Sequence, residues 1–215
     1  MPLVALVRHG QASFGTDDYD ALSDVGRQQA EVVGAELVRR GLRAPEVVAG
    51  TLRRQRHTAS LLMAAAAIEG RCGTDKRWDE YDHFALLRRY VEPSRIEPAW
   101  GDSRVFQELL DEALTAWAQD GGWAAFANDA DAALLQFANR LPQGQDGIVV
   151  TSGGVLGALV AGLIGAPPAT AVTLNRVAVN GAITTVAVGA KGASLLSFND
   201  HAHFAGGRRA LLTYR

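Results

Sequence analysis

One cysteine, Cys72, is the whole supply of thiol in the chain. No internal disulfide can form, and a reducing compartment, the cytoplasm, is the natural setting. Cys72 has no acidic or histidine neighbour in sequence and reads as a structural thiol, not a nucleophile. Excess charge is also lacking. A formal net charge of -2 does not suggest a general polyanion binder, so nucleic acid is not expected as a partner. Before the apolar run Leu3 to Val7 there is neither a basic segment nor a cleavage signature, and no signal peptide is expected. An unbroken membrane span is missing too. Gly147 to Pro167 carries no charge and resembles one in length. Ser152-Gly153-Gly154 divides it into a strand, Ile148 to Thr151, and a helix, Val155 to Ile164, with Pro167-Pro168 closing it. No membrane partner is expected.

What remains suits a globular α/β protein. Hydrophobic residues make up 48% and charged residues 20% of 215 positions, enough for one sizeable core. The 23 glycines suit many tight turns. Leu3 to Val7 reads as a buried strand ending on the polar Arg8-His9. Gln11 to Asp20 reads as a loop. Ser23 caps a helix starting near Asp24, whose apolar positions run to Arg40, and Gly41 stops it. Val47 to Ala49 is a strand, Leu52 to Ile68 a helix, and Arg71 to Trp78 contains a third strand. Tyr81 to Leu141 is expected as a helical insertion. It opens as an aromatic, charged loop restrained by Pro93 and Pro98, with helices near Arg104 to Trp117 and Ala124 to Leu141. Ala182 to Val188 and Ser194 to Phe198 form a hairpin about Gly189 to Gly192, giving one antiparallel edge. The alternation of elements argues for a layered α/β fold and a single domain, 1-215, with the insertion at about 81-141.

Arg8-His9-Gly10 at a strand end is the first candidate site. A neutral imidazole has a pKa of about 6.5 and a lone pair for attack on phosphorus, provided its other nitrogen donates to a fixed acceptor. Guanidinium groups beside it favour the neutral ring, and their donor fork matches phosphate oxygens. Gly10 permits close backbone approach. Arg53-Arg54-Gln55-Arg56-His57 reads either as a basic pocket or as a solvated helix face.

Val4 to Gln11 resembles the opening motif of the histidine phosphatase superfamily, the phosphoglycerate mutase-like proteins. Leu22-Ser23-Asp24-Val25-Gly26-Arg27-Gln28-Gln29-Ala30 and Ala49 to Ala59 are similar to its next two motifs, in the right order. The resemblance spans essentially the whole chain. It implies a three-layer α/β/α fold with a mostly parallel central sheet. It implies His9 as the nucleophile, Arg8 and Arg54 as phosphate clamps, and Glu80, in Trp78-Asp79-Glu80, as the proton donor. Asn180 and His203 fall on weaker late positions. No metal or organic cofactor is implied. Val149-Val150-Thr151-Ser152-Gly153-Gly154-Val155 resembles the motif at the end of the fourth strand, with one departure. Ser152 stands where the superfamily has its second catalytic histidine. A neutral hydroxyl there weakens transition-state stabilisation by on the order of a few kcal/mol unless something compensates. Thr151, Ser152 and the Gly153 and Gly154 amides are candidates to contact phosphate oxygens at a helix start. Gln11 and Ser13 are candidates from the opening loop, which Gly15 shapes. His57, His83, His201 and His203 are candidates to fill the gap in space, and His201-Ala202-His203 is a weak metal pattern.

The expected activity is phosphomonoester hydrolysis through a phosphohistidine. Two other readings stay open: a weak or inactive phospholigand-binding protein, which Ser152 favours, and a phosphoglycerate mutase-type phosphotransferase. The partner is a small phosphorylated molecule or a phosphorylated protein. Tyr81, His83, Phe84, Arg88, Arg89, Tyr90 and Trp100 are candidates to line the pocket, and the helix near Val105 to Trp117 is a candidate homodimer surface.

Overall fold

The computed structural model describes residues 1–13, 20–99 and 101–214. Gly15, Trp100 and most of the opening loop lie outside the described residues. Strands β1 (Leu3–Arg8), β2 (Glu46–Ala49), β3 (Gly73–Thr74), β4 (Gly147–Thr151), β5 (Ile183–Gly189) and β6 (Gly192–Asp200) form one sheet in the order β3-β2-β4-β1-β5-β6. β3, β2, β4 and β1 pair parallel. β5 runs antiparallel to β1 and to β6, which makes the hairpin edge expected from the sequence.

Side chains alternate across the sheet as strand geometry requires. Val4, Leu6 and Val149 pack under Leu134 and Phe137 of α6 (Gly122–Arg140) and Val155 and Leu159 of α7 (Gly153–Leu163). Ala5, Val7, Ile148 and Val150 pack on the other face. There they meet Val33 and Leu37 of α1 (Asp24–Arg39) and Leu62 of α2 (Arg53–Ala65). The chain is therefore a three-layer α/β/α fold with a mostly parallel sheet. Each fully buried Val or Leu contributes about 1.5–3 kcal/mol, an upper estimate from area.

At the other end of the parallel strands, buried Asp146 joins three of them. Its carboxylate accepts the Leu3 N–H at 2.9 Å and the Arg43 N–H at 2.9 Å and pairs with the Arg43 guanidinium at 2.8 Å. Its carbonyl accepts the Glu46 N–H at 3.1 Å.

The segment after Tyr81 corrects the sequence reading. The expected loop contains two short helices, α3 (His83–Tyr90) and α4 (Pro93–Ala99). Asp82 caps α3 by accepting the Ala85 N–H at 2.9 Å. Pro93 occupies the first position of α4, where a missing N–H costs nothing. α5 (Ser103–Gln119) and α6 follow as expected. α7 ends at Leu163, before the proline pair as expected, and Pro168 then opens a further helix, α8 (Pro168–Val177). α3 to α8 share a core around Leu87, Leu109, Leu114 and Trp123. No helix among the described residues is long and apolar enough to cross a membrane.

Candidate active site

In open parallel sheets a crevice opens at the carboxyl ends of neighbouring strands whose following helices lie on opposite faces. β1 and β4 are such a pair. Arg8 lies opposite Thr151 in their register, and the His9 N–H donates to the Thr151 carbonyl at 2.9 Å. His9, the next residue on one strand, thus lies beside Ser152, the next on the other.

Close packing of backbone explains the local glycines. A Cβ on Gly10 would sit 2.3 Å from the Gly26 carbonyl oxygen, and one on Gly26 would sit 2.1 Å from that of Gln11. The first turn of α1 therefore lies directly against the His9 loop. Ser23 caps α1 by accepting the Gly26 N–H at 3.0 Å and donates to Gln11 Oε1 at 2.8 Å. Gln11 thus braces the helix start. The Gly10 N–H is held by Thr58 Oγ1 at 3.0 Å, and the Ser13 N–H donates to Ala21 O at 2.8 Å.

The His9 tautomer follows from its neighbours. Nδ1 lies 2.7 Å from the Gly10 carbonyl, which only accepts, so Nδ1 carries the proton. Nε2 then presents its lone pair, which receives the Arg54 Nε–H at 3.2 Å. Burial, then the Arg54 charge, then the Arg8 charge hold the His9 pKa well below its ordinary value of 6.5. Arg54 also pairs with Asp20 at 2.7 Å, and the same carboxylate caps α2 through the Arg53 N–H at 2.7 Å. Arg8 Nη1 donates to the carbonyls of Ala178 and Tyr214. Glu80 accepts the Gly154 N–H at 2.9 Å. Its carboxyl keeps some contact with solvent yet lies deep among the site groups. Burial raises its pKa above 4.5 despite the opposing Gly154 amide, Arg54 and Arg8.

The structure thus gathers Arg8, His9, Arg54, Glu80, Gly10, Ser152 and Gly153 at one place. A Cβ on Gly153 would lie 3.4 Å from Arg8 Nε. Thr151 is adjacent, but its hydroxyl donates to the Trp78 carbonyl at 2.7 Å. The Gly154 amide, expected to face phosphate, is given to Glu80. The basic run on α2 is divided: Arg54 and Gln55 are buried, Arg53 and Arg56 exposed. Of the four other histidines, His83 is partly buried at the start of α3, and burial lowers its pKa against the opposing charge of Asp82. Burial, then the charges of Arg27 and Arg53, lower the His57 pKa; His201 is held by the Asn199 carbonyl at 2.6 Å, and His203 by the Gly181 carbonyl at 3.0 Å. Among the described residues no group of three or more His, Cys, Asp or Glu side chains is placed to hold a metal ion.

Tyr81 backs the site: its hydroxyl accepts from Asn175 Nδ2 at 3.2 Å, and its ring lies 5.8 Å from that of Trp117. Arg89 and Tyr90 turn elsewhere, both to Asp120, at 2.7 and 2.5 Å. Asn180 Nδ2 donates to the His9 carbonyl at 3.2 Å. Cys72 is half-buried, and burial raises its pKa. Asp20 and Gln55 were not singled out individually from the sequence. A lone acid in a polar loop and a glutamine inside a basic run carry no pattern of their own.

The histidine phosphatase superfamily (branch 1) profile matches residues 4–201, and the chain belongs to this superfamily. It is 29% identical over 175 residues to a protein from Citrobacter koseri named probable phosphoglycerate mutase GpmB, covering 76% of this chain and 75% of that one. Its fold is similar to that of a phosphoglycerate mutase from Bacillus anthracis str. Sterne. That match has a TM-score of 0.68 and 16% identity, covering 95% of each chain. It is also similar to a mycobacterial glucosyl-3-phosphoglycerate phosphatase solved with VO3. There the TM-score is 0.64 and the identity 21%, over 94% of this chain and 100% of that one.

Proposed function

We propose that this chain hydrolyses phosphomonoesters through a phosphohistidine on His9. The observation that carries the reading is the fixed tautomer: a buried neutral imidazole presenting Nε2 to Arg54 beside a carboxyl whose pKa is raised. A phosphoryl group entering between His9 and Arg54 takes over the Arg54 donors. Nε2 attacks phosphorus, a P–N bond forms, and the P–O bond to the leaving group breaks. Glu80 delivers its proton to the departing oxygen. The resulting carboxylate then takes a proton from water, whose oxygen attacks phosphorus and releases inorganic phosphate and neutral His9. Arg8 and Arg54 hold the charge on the transferring group, and the Ser152 hydroxyl supplies one further donor. Glu80 gives one proton to the leaving group and regains one from the attacking water, so the enzyme ends each cycle in its starting protonation state.

In this reading residues 1-215 act as one domain, and the helices between 81 and 141 cover the crevice and select the leaving group. A small phosphorylated molecule in the cytoplasm is the expected substrate. A mutase reaction, suggested by the name of the Citrobacter koseri relative, needs a retained phosphoenzyme and a reoriented substrate. Ser152 favours a second reading, a phospholigand-binding protein with slow turnover.

The test is hydrolysis of an activated aryl phosphate in chelator, with acid-quench trapping of the phosphoenzyme. Wild type is expected to turn over and to trap label, and His9→Ala to lose both by at least about a thousand-fold. Equal labelling of the variant removes His9 as nucleophile. A folded wild type with no turnover leaves the binding reading.

A further inference from the structure

Gln55 is fully buried, one residue from Arg54, and has no part in the mechanism above. Its amide orientation is dictated by chemistry. Oε1 accepts the Leu52 N–H at 3.3 Å, and Nε2 donates to the Trp78 carbonyl at 2.8 Å. A reversed amide would set oxygen against a carbonyl and nitrogen against an N–H. With Nε2 so placed, its other proton goes to Ser152 Oγ at 2.8 Å. The Ser152 hydroxyl is therefore an acceptor in that bond, and its own proton is left to donate elsewhere. Among the described residues no acceptor takes it. Ser152 is wholly buried at the start of α7 and follows Thr151 on β4 as His9 follows Arg8 on β1. Adjacent strands lie about 4.8 Å apart, so Ser152 and His9 stand side by side at the strand ends.

We propose that Gln55 is a positioning residue that fixes Ser152 as a hydrogen-bond donor to a phosphoryl oxygen. The amide–hydroxyl pair occupies the place of the superfamily's second histidine. The inference rests on the phosphate-binding reading of the site, but not on turnover. It also gives the buried amide a reason beyond packing. The Trp78 carbonyl that anchors Nε2 accepts the Thr151 hydroxyl as well, so the element carrying Glu80 and the strand carrying Ser152 share one fixed point. Unlike an imidazole, this pair does not titrate near neutral pH.

The experiment measures tungstate affinity by calorimetry, and kcat/KM for an aryl phosphate, on the full chain. Wild type is compared with Ser152→Ala, Gln55→Met, the double variant and Gln55→Glu, with thermal unfolding to confirm folding. Each of the first two substitutions is expected to weaken tungstate binding about ten- to hundred-fold, and the double variant no more than the worse single one. In Gln55→Glu the ionised carboxylate must accept the serine proton and reverse the bond. Its deficit is expected to shrink as pH falls and the introduced carboxyl protonates. Wild-type affinity in folded Gln55→Met, losses that multiply in the double variant, or a pH-independent Gln55→Glu deficit each overturn the proposal. Tungstate binding that follows the expected pattern without His9-dependent turnover would sink the phosphatase reading and keep this one. Turnover that ignores Gln55 does the reverse, and failure of wild type to bind tungstate overturns both.

Discussion

At the residue scale, the proposed reaction uses the opposite shifts on His9 and Glu80, one held neutral as nucleophile and the other held protonated as acid. Protonation removes the His9 lone pair, so the acid limb of kcat/KM is set by a pKa held below 6.5. Loss of the Glu80 proton removes the general acid, so the alkaline limb for a poor leaving group is set by a pKa raised above 4.5. Glu80→Gln is expected to erase the alkaline limb with an alkyl phosphate while sparing an activated aryl phosphate, read from the two pH profiles. Equal losses on both substrates remove the acid role. The His9 shift also acts on stability. Below pH 6.5 the unfolded chain binds a proton that the folded site resists, so this contribution falls as pH drops. Ser152 is the second residue-scale problem. It is wholly buried and bonded to Gln55, so the space an imidazole needs is already taken. Ser152→His is expected to lose about 1–3 kcal/mol in urea unfolding by overpacking and to gain no turnover. Adding Gln55→Ala should recover stability and raise kcat. A faster, fully stable single variant would show that Gln55 yields. The residues proposed as catalytic, His9, Arg8, Arg54 and Glu80, stood out as candidates because each falls in a sequence motif whose order the fold preserves. Asp20, Gln55 and the Glu80 hold on Gly154 were not, because each joins positions far apart in the chain.

At the element scale, the parallel strands are apolar on both faces. A slip of one residue would exchange the two buried faces without exposing either, so hydrophobic alternation alone does not fix their register. Asp146 supplies the missing constraint through Leu3 and Arg43, and it does so at the end remote from the site. The arrangement places His9 beside Ser152 by pinning strands rather than catalytic residues. Helix α1 is seated against the His9 loop by two glycines. Gly26→Ala is expected to cost about 1–3 kcal/mol and to raise KM for an aryl phosphate, because a methyl group 2.1 Å from Gln11 O must push the loop away. An unchanged urea midpoint would mean that the loop accommodates it. The missed helices have a local explanation. Pro93 and Pro168 read as breakers in sequence, yet a proline at the first turn of a helix loses no hydrogen bond.

At the scale of the whole molecule, the last residues close the site from behind. Gln29, buried in α1, donates to Leu211 O at 2.6 Å and to Thr213 Oγ1 at 2.9 Å while accepting the Gln11 N–H at 2.8 Å. Thr213 donates to Asn180 Oδ1 at 3.0 Å, and Asn180 donates to the His9 carbonyl. The Tyr214 carbonyl takes an Arg8 donor at 3.0 Å. Truncation after Leu211 strips partners from buried polar groups at about 1–3 kcal/mol each. It is expected to lower the urea midpoint and to weaken tungstate binding together; loss of stability with unchanged affinity would limit the tail to a structural part. The sequence by itself determined the layered α/β class, the capped helix α1, the hairpin edge and the superfamily. Those depend on local periodicity, turn chemistry and motifs read in order along the chain. Tertiary structure decided the pairing of Gln55 with Ser152, the bonds of Asp20 to Arg53 and Arg54, the hold of Glu80 on Gly154 and the closing role of the tail. Each is a hydrogen bond between chain-distant groups, and its direction and length exist only once the strands are in register.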